Sequence, residues 1–365
     1  MSLRDLSLKI ALCGLCFVAA QAQAAEEKPA KSPGIIDLSE AQKDPDFKFQ
    51  GEYTGYWSSG ERAGEKLGLQ VTPLGDGKFQ AMEYRGGLPG RDWNRWDRRW
   101  WEGSRTGESV QLTTKGYSAV IANKHITITD AAGNKAGELG MVRRHSSTIG
   151  LTPPPGAIVL FSGKDTGHWE GAKVTPEGLL MEGAVTKKPF KDFRMHLEFM
   201  LPYGPERREQ GRGNSGVYLQ ERYEVQILDS FGLVGAFNEC GSLYRTVPPL
   251  QNMCLPPLTW QTYDIVFYSA RFDSAGNKIH NAELTVRQNG ELVQDHLQVP
   301  NKTGAGKPEG PEPRIIKLQD HHNPVRFRNI WIVELNGDQS PWNWDGSDCN
   351  CNIGPSASVT PPNYR

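Results

Sequence analysis

The chain lacks an excess of charge of either sign, and it lacks long apolar segments beyond its N-terminus. Its 365 residues include 41 Lys and Arg against 42 Asp and Glu, for a formal net charge of −1. This balance argues against a nucleic-acid partner, because such partners select for basic surfaces. Past the N-terminal segment no apolar run approaches the roughly 20 residues that a transmembrane helix needs.

The common nucleotide-binding and hydrolase signatures are also missing. The sequence has no P-loop, no dinucleotide fingerprint, no His-Glu-x-x-His and no Gly-x-Ser-x-Gly. Segment 211–216 is rich in glycine, but a strand pattern follows it rather than a helix, so we do not expect it to hold a phosphate. Any chemistry must therefore come from polar residues on strands.

The N-terminus has the pattern of a secretory signal. Arg4 and Lys9 accompany an apolar stretch from Ile10 to Ala20, and Ala22-Gln23-Ala24 gives the small-x-small cleavage pattern. We expect a signal peptide that ends near Ala25, and hence export to the periplasm or the extracellular space. A short membrane anchor is the alternative, and the shortness of the apolar run disfavours it.

Cysteine is scarce. The six cysteines are Cys13, Cys16, Cys240, Cys254, Cys349 and Cys351. The first two belong to the expected signal, and an even remainder in an exported chain favours disulfides. We expect Cys240 to pair with Cys254, which leaves Cys349 and Cys351 to pair by elimination. A zinc site is the alternative, but no His stands at finger spacing from either pair.

Turn residues and short alternating patterns favour an all-β chain. The sequence contains 40 Gly and 25 Pro, and Asn289-Gly290 between two alternating segments is a strong hairpin signal. We expect a small antiparallel β domain followed by a jelly-roll β-sandwich. The predicted segments are a signal peptide (1–25), a flexible linker (26–46), a small β domain (47–145), a Pro-rich linker (146–157), the jelly roll (158–335) and a polar tail (336–365).

Tryptophan and arginine alternate in the middle of the first predicted domain. The run 91–101 contains Trp93, Trp96, Trp100 and Trp101 among arginines. Such a surface stacks on sugars, so we expect this domain to contribute binding or assembly rather than chemistry. For the run itself, the favoured interpretation is an edge loop whose tryptophans cover a small core.

Two consecutive strand patterns in the second domain carry polar side chains on one face. Glu224 and Gln226 alternate with apolar residues such as Val225, and Asn214 and Tyr218 do the same on the preceding strand. This alternation predicts a sheet with one face on a core and the other open to a polar ligand such as a sugar.

Histidines and further carboxylates lie on other predicted strands. His196 and Glu198 share a strand face, and Gln319, Asp320 and His321 end a later strand. A carboxylate and an imidazole in one groove suit general acid–base catalysis. Such groups also bind divalent metals, so a metal remains an alternative, and no other cofactor is indicated.

Sequence blocks of a recognisable kind occur in order through the second domain. They are LFSGKD at 160–165 with Trp169, HLEF at 196–199, NSGVY at 214–218, YEVQILD at 223–229, GSLY at 241–244, WQTYDI at 260–265, LQDH at 318–321 and PVRFRNIW at 324–331. The ordered set resembles the 3-keto-disaccharide hydrolase family, formerly a domain of unknown function. One departure is His322, which stands where Gly is expected after the Asp-His pair.

The resemblance implies a concanavalin-like jelly roll that cleaves glycosides whose sugar carries a ketone at C3. Such a reaction begins with removal of the C2 proton, for which Glu224 is the expected base. His196 or His321 would protonate the leaving oxygen or hold a metal. The expected sugar-binding residues are Asn214, Tyr218, Gln226, Glu198, Gln319 and Asp320. The alternative function is a carbohydrate-binding or adhesion module with the same jelly roll and no working base.

Overall fold

Residues 33–335 are described by the computed structural model, and almost all of their regular structure is β. The helical elements are a four-residue α-helix α1 (Leu38–Ala41) and two 3-10 turns at Phe47–Phe49 and Glu209–Gly211. Among these residues no helix has the length and apolar character needed to cross a membrane. The prediction of an all-β chain is confirmed.

The first eight strands form a closed antiparallel barrel. They are β1 (Gly51–Trp57), β2 (Lys66–Gly75), β3 (Lys78–Arg85), β4 (Arg98–Thr106), β5 (Ser109–Thr114), β6 (Tyr117–Ala122), β7 (His125–Asp130) and β8 (Lys135–Val142). Each strand pairs with the next, and β8 returns to pair with β1. Inward-facing residues such as Tyr53, Leu69 and Ile128 fill the interior, so the closed barrel has its own core.

The remaining strands form a two-sheet sandwich. They are β9 (Ile158–Phe161), β10 (Trp169–Glu170), β11 (Leu180–Met181), β12 (Val185–Thr186), β13 (Phe193–Met200), β14 (Asn214–Leu219), β15 (Tyr223–Leu228), β16 (Trp260–Tyr268), β17 (Arg271–Phe272), β18 (Lys278–His280), β19 (Ala282–Gln288), β20 (Glu291–Val299), β21 (Lys317–Leu318) and β22 (Arg326–Glu334). The five-stranded sheet runs β10-β12-β21-β14-β15. The seven-stranded sheet runs β11-β22-β13-β16-β19-β20, with β9 beside β22. Strands β17 and β18 form a separate ribbon.

The core of the sandwich lies between these two sheets. Val217 and Val225 of the five-stranded sheet and Leu197 and Phe199 of the seven-stranded sheet belong to one buried apolar cluster. Because strand side chains alternate, the residues between them point away from this core on either side. The sandwich therefore has two outward faces, and polar residues of the sequence patterns are divided between them.

The barrel packs against the sandwich through the outside of β1, β2 and β3. Glu52, Gln70 and Tyr84 are buried although they point out of the barrel, and they hydrogen-bond to one another in a row. The Thr72 hydroxyl donates to the backbone oxygen of Phe231 in the sandwich at 3.3 Å. These hydrogen bonds satisfy polar groups that are buried in the junction.

Candidate functional site

The candidate site lies on the outward face of the five-stranded sheet. Antiparallel pairing of β14 and β15 sets Gly216 opposite Gln226 and Tyr218 opposite Glu224. The next strand on the other side, β21, sets Lys317 opposite Tyr218. The outward direction predicted from alternation is confirmed, because Val217 and Val225 of the same strands lie in the core. The face is not open as predicted, since Asn214, Tyr218, Glu224 and Gln226 are all buried.

Glu224 is buried on this face, and its carboxylate lies over Gly216 of the neighbouring strand. Its relative exposure is 1%, and a Cβ at Gly216 would lie only 2.3 Å from Glu224 Oε1. Any side chain at position 216 would therefore push the carboxylate away. Gly216, the glycine of the NSGVY block, has an ordinary strand conformation. Glycine is therefore needed here for space and not for an unusual backbone angle.

The Glu224 carboxylate has an unusual electrostatic setting. Among residues 33–335, no donor reaches its buried Oε2 atom. Burial raises the pKa of Glu224 to about 7, against smaller opposing effects of the Tyr218 hydroxyl and the positive charge of Lys317. A carboxylate poised near neutral pH with a free oxygen suits a general base.

Amide side chains extend the polar face beside Glu224. The Gln226 amide lies 3.1 Å from Asn214 Oδ1, and a half-turn of that amide places its nitrogen 3.2 Å from Glu224 Oε1. Asn214 donates to the backbone oxygen of Gln210 at 2.8 Å. Gln319 joins the sheet by donating its backbone N–H to Gly216, and its side-chain Oε1 is buried without a partner among the described residues. These groups can serve ligand hydroxyls.

The rim of the site contains residues that were not predicted as site residues from the sequence. The backbone N–H of Glu224 donates to the Thr303 hydroxyl at 2.8 Å, and its carbonyl accepts from Tyr244 at 3.0 Å. A Cβ at Gly304 would lie 3.2 Å from the Tyr244 ring and 4.0 Å from Glu224 Oε2. Tyr244 belongs to the GSLY block, so that block was the available signal; nothing in the sequence marked Thr303 or Gly304.

His196 and Glu198 are not brought together with Glu224. They lie on β13 of the seven-stranded sheet and point out of its opposite face, so the sandwich core separates them from β15. Both are fully buried, because residues 146–151 between barrel and sandwich cover them. We therefore place neither His196 nor Glu198 in the candidate site, which differs from the sequence prediction. Alternation predicted that both side chains point away from the core, but it could not predict which of the two sheets carries them.

The cluster around His196 is a closed network. His196 Nδ1 lies 2.6 Å from Asp264 Oδ1, and the ring stacks on Trp331. Burial lowers the pKa of His196, but hydrogen bonds to Asp264 and Glu198 outweigh burial and raise it. Burial likewise raises the pKa of Glu198, but hydrogen bonds from His196, Asn329 and others bring it to about 2. These hydrogen bonds favour the charged forms of His196 and Glu198, so the cluster is suited to a structural ion pair.

Asp320 and His321 lie at the exposed end of β21, next to Gln319. Asp320 accepts from the backbone N–H of His322 at 2.8 Å, and the His322 side chain is 96% exposed. Within residues 33–335, no group of three His, Cys, Asp or Glu side chains is arranged to hold a metal ion.

The predicted Cys240–Cys254 disulfide is wrong for this structure. Both thiols are free and buried. Cys240 Sγ lies 3.2 Å from the Tyr263 hydroxyl, and Cys254 Sγ faces the Leu228 carbonyl at 3.6 Å, so each sulfur has polar neighbours within the core. The other predicted pair, Cys349 and Cys351, lies outside the described residues, as does the predicted signal.

The predicted tryptophan surface is smaller than the run of tryptophans indicated. Trp101 is buried in the barrel and donates to Glu83 at 2.9 Å. Trp93 packs edge-on against Tyr84 with ring centroids 5.1 Å apart. Trp96 is 83% exposed and Trp100 is 42% exposed, so two of the four remain available for stacking.

The sandwich half of the chain is similar to known proteins. Residues 156–333 match the family described as 3-keto-alpha-glucoside-1,2-lyase-like domain. A candidate glycosyl hydrolase from Parabacteroides distasonis ATCC 8503 is 35% identical over 50% of this chain and 85% of its own, with a TM-score of 0.46. A second from that organism is 24% identical over 49% of this chain and 99% of its own, with a TM-score of 0.35. The comparison with curated proteins gave no significant match.

Proposed function

The chain belongs to the 3-keto-alpha-glucoside-1,2-lyase-like domain family, and from that premise we propose that it cleaves glycosides carrying a ketone at C3, with Glu224 as the base. The observation that carries this proposal is the buried Glu224 carboxylate with an unpaired Oε2 and a pKa of about 7. A base of that pKa is ionised in part at neutral pH and still accepts a proton strongly.

The proposed reaction is an elimination followed by hydration. The C3 ketone acidifies the C2 proton, which Glu224 removes, and the electron pair of that bond moves to the C3 oxygen. When the ketone re-forms, the C1–O bond breaks and the leaving oxygen takes up a proton. Water then adds to C1 of the unsaturated ketone and a proton returns to C2, so the net result is hydrolysis.

The negative charge that develops on the C3 oxygen needs a partner. Lys317 lies on the same face, with its Nζ 5.7 Å from the centre of the Tyr218 ring, and it is the cation nearest to this role. A positioned cation or donor of this kind typically stabilises such a transition state by a few kcal/mol. The amides of Asn214, Gln226 and Gln319 would orient the sugar hydroxyls.

Product analysis with matched substrates tests this function. We expect release of the aglycone from 3-keto-glucosides and none from the parent glucosides, because only the ketone acidifies C2. In deuterated water the sugar product should carry deuterium at C2. Equal cleavage of oxidised and parent glucosides, or a C2 position free of deuterium, would contradict the proposal.

A non-catalytic carbohydrate-binding function is the second candidate. It is favoured by the exposed Trp96 and Trp100, since aromatic rings on a surface stack on sugars. A binding module would retain saccharides without releasing any aglycone, so the same product analysis separates the two functions.

We also propose export after cleavage near Ala25, for which the mass of the mature chain is the direct test.

A further inference from the structure

A cavity separate from the Glu224 site lies at the junction of barrel and sandwich. Its volume is about 240 Å³, and none of its lining residues belongs to the candidate site. The barrel side contributes Arg91, Arg143 and Arg144, and the sandwich contributes Met253 and Glu291. This volume lies just below the roughly 300 Å³ at which typical small-molecule pockets begin, so a ligand would be small.

One of the arginines is already neutralised and forms a fixed wall. Arg144 holds Glu52 with two hydrogen bonds, at 2.7 Å from Nε and 2.5 Å from Nη2. Its Nη1 donates to the backbone oxygen of Pro89 at 2.6 Å. All three nitrogens are therefore occupied, and Arg144 contributes shape rather than free charge.

The other two arginines have no acid to bind. Within residues 33–335, no carboxylate lies within salt-bridge distance of Arg91 or Arg143, whereas the neighbouring Asp92 is held by Lys66 at 2.6 Å. Both side chains are exposed, and each guanidinium offers N–H donors at the cavity lining that an anionic ligand can accept in pairs.

Glu291 limits which anion fits. Its carboxylate lines the same cavity and, among the described residues, has no cation within salt-bridge distance. It would repel a bare inorganic anion, but it accepts hydrogen bonds from hydroxyl groups. Ser147, also on the lining, adds a hydroxyl that donates to the Asn289 carbonyl at 3.4 Å. The cavity thus combines groups that can bind an acid with groups that can bind hydroxyls.

We propose that this cavity binds a small polyhydroxy acid, a sugar acid of about monosaccharide size. Its acid group lies between Arg91 and Arg143, and its hydroxyls reach Glu291 and Ser147. The thioether of Met253 packs against the carbon chain. Since the cavity is lined by both barrel and sandwich, the bound acid holds the two together.

Calorimetric titration of the full chain with D-gluconate tests the proposal, with glucose and inorganic sulfate as comparison ligands. We expect gluconate to bind more tightly than either, because only gluconate offers both an acid and hydroxyls. Arg91→Gln with Arg143→Gln should weaken gluconate binding roughly tenfold or more. The matched control replaces Lys115 and Lys124, two exposed barrel cations off the cavity, with Gln and should leave the affinity unchanged.

Two further variants decide where the ligand lies and what holds it. Glu291→Gln should tighten sulfate binding and weaken gluconate binding, because the repulsion and the strong acceptor both disappear. Glu224→Gln should bind gluconate with wild-type affinity. The proposal is overturned if wild-type protein binds no gluconate, if the double arginine variant binds it as well as the lysine control does, or if Glu224→Gln abolishes binding.

Discussion

Replacement of Glu224 by Gln separates chemistry from folding at one position. The side chain keeps its shape, its burial and its contact with Gly216, but it loses the ability to take a proton. If Glu224 removes the C2 proton, turnover of a 3-keto-glucoside should fall by roughly 10² or more, equivalent to about 2.7 kcal/mol in the barrier. Substrate affinity should change much less.

The same substitution should stabilise the protein at alkaline pH. The pKa of Glu224 is raised from 4.5 to about 7 by burial, so the folded state holds this proton more tightly than the unfolded state. The stability that protonation supplies is fully present below pH 4.5 and is lost as pH rises to about 7. At pH 8 the neutral amide should therefore raise the free energy of unfolding by at most about 3 kcal/mol, with little change at pH 4.

Urea unfolding at pH 4 and pH 8, measured beside turnover, checks both effects. Glu283→Gln is the matched control, because Glu283 is a buried glutamate on β19 of the other sheet. This variant should keep both the turnover and the pH dependence of turnover of the wild type. In the wild type, kcat/KM should rise as pH passes through about 7 while the base ionises. Near-normal turnover in Glu224→Gln would refute the assignment, and the base would then have to be sought elsewhere on this face.

Three further changes have expected outcomes. Gly216→Ala should lower turnover tenfold or more while the protein stays folded, since the new methyl displaces the Glu224 carboxylate; circular dichroism beside kinetics tests this. Tyr218→Phe should shift the rising limb of the pH–rate profile to higher pH, because the Tyr218 hydroxyl lowers the pKa of Glu224; an unmoved limb would count against that contact. His196→Ala should cost about 3 kcal/mol in unfolding free energy, because it removes a fully buried ring that hydrogen-bonds to Asp264 and stacks on Trp331, yet turnover per folded molecule should stay within about twofold.

Local patterns predicted many of the strands and one hairpin because those features depend on neighbouring residues, but they missed β1 and β4. Strand β19 ends just before Asn289-Gly290, and β20 begins just after it. Both turn residues take the positive φ angles that a two-residue hairpin turn requires. Alternation likewise predicted that Glu224 and Gln226 turn away from the core.

Long-range pairing could not be read from the same patterns. Closure of the barrel depends on β1 pairing with β8, and nothing near Gly51–Trp57 in the sequence encodes that contact. His196 and Glu224 show the same alternation, yet they lie on different sheets with the core between them. The sequence distance between two polar strands therefore says little about whether their side chains share a groove.

The segment that joins barrel and sandwich is itself a structural partner of the sandwich. The backbone N–H of Gly150 donates to Glu198 at 2.6 Å, and the Thr148 hydroxyl donates to Asp264 at 2.7 Å. A sandwich cut free at residue 155 would leave these carboxylates short of their donors. Barrel and sandwich should consequently melt in one cooperative transition, and the loss of either would be felt by the whole chain.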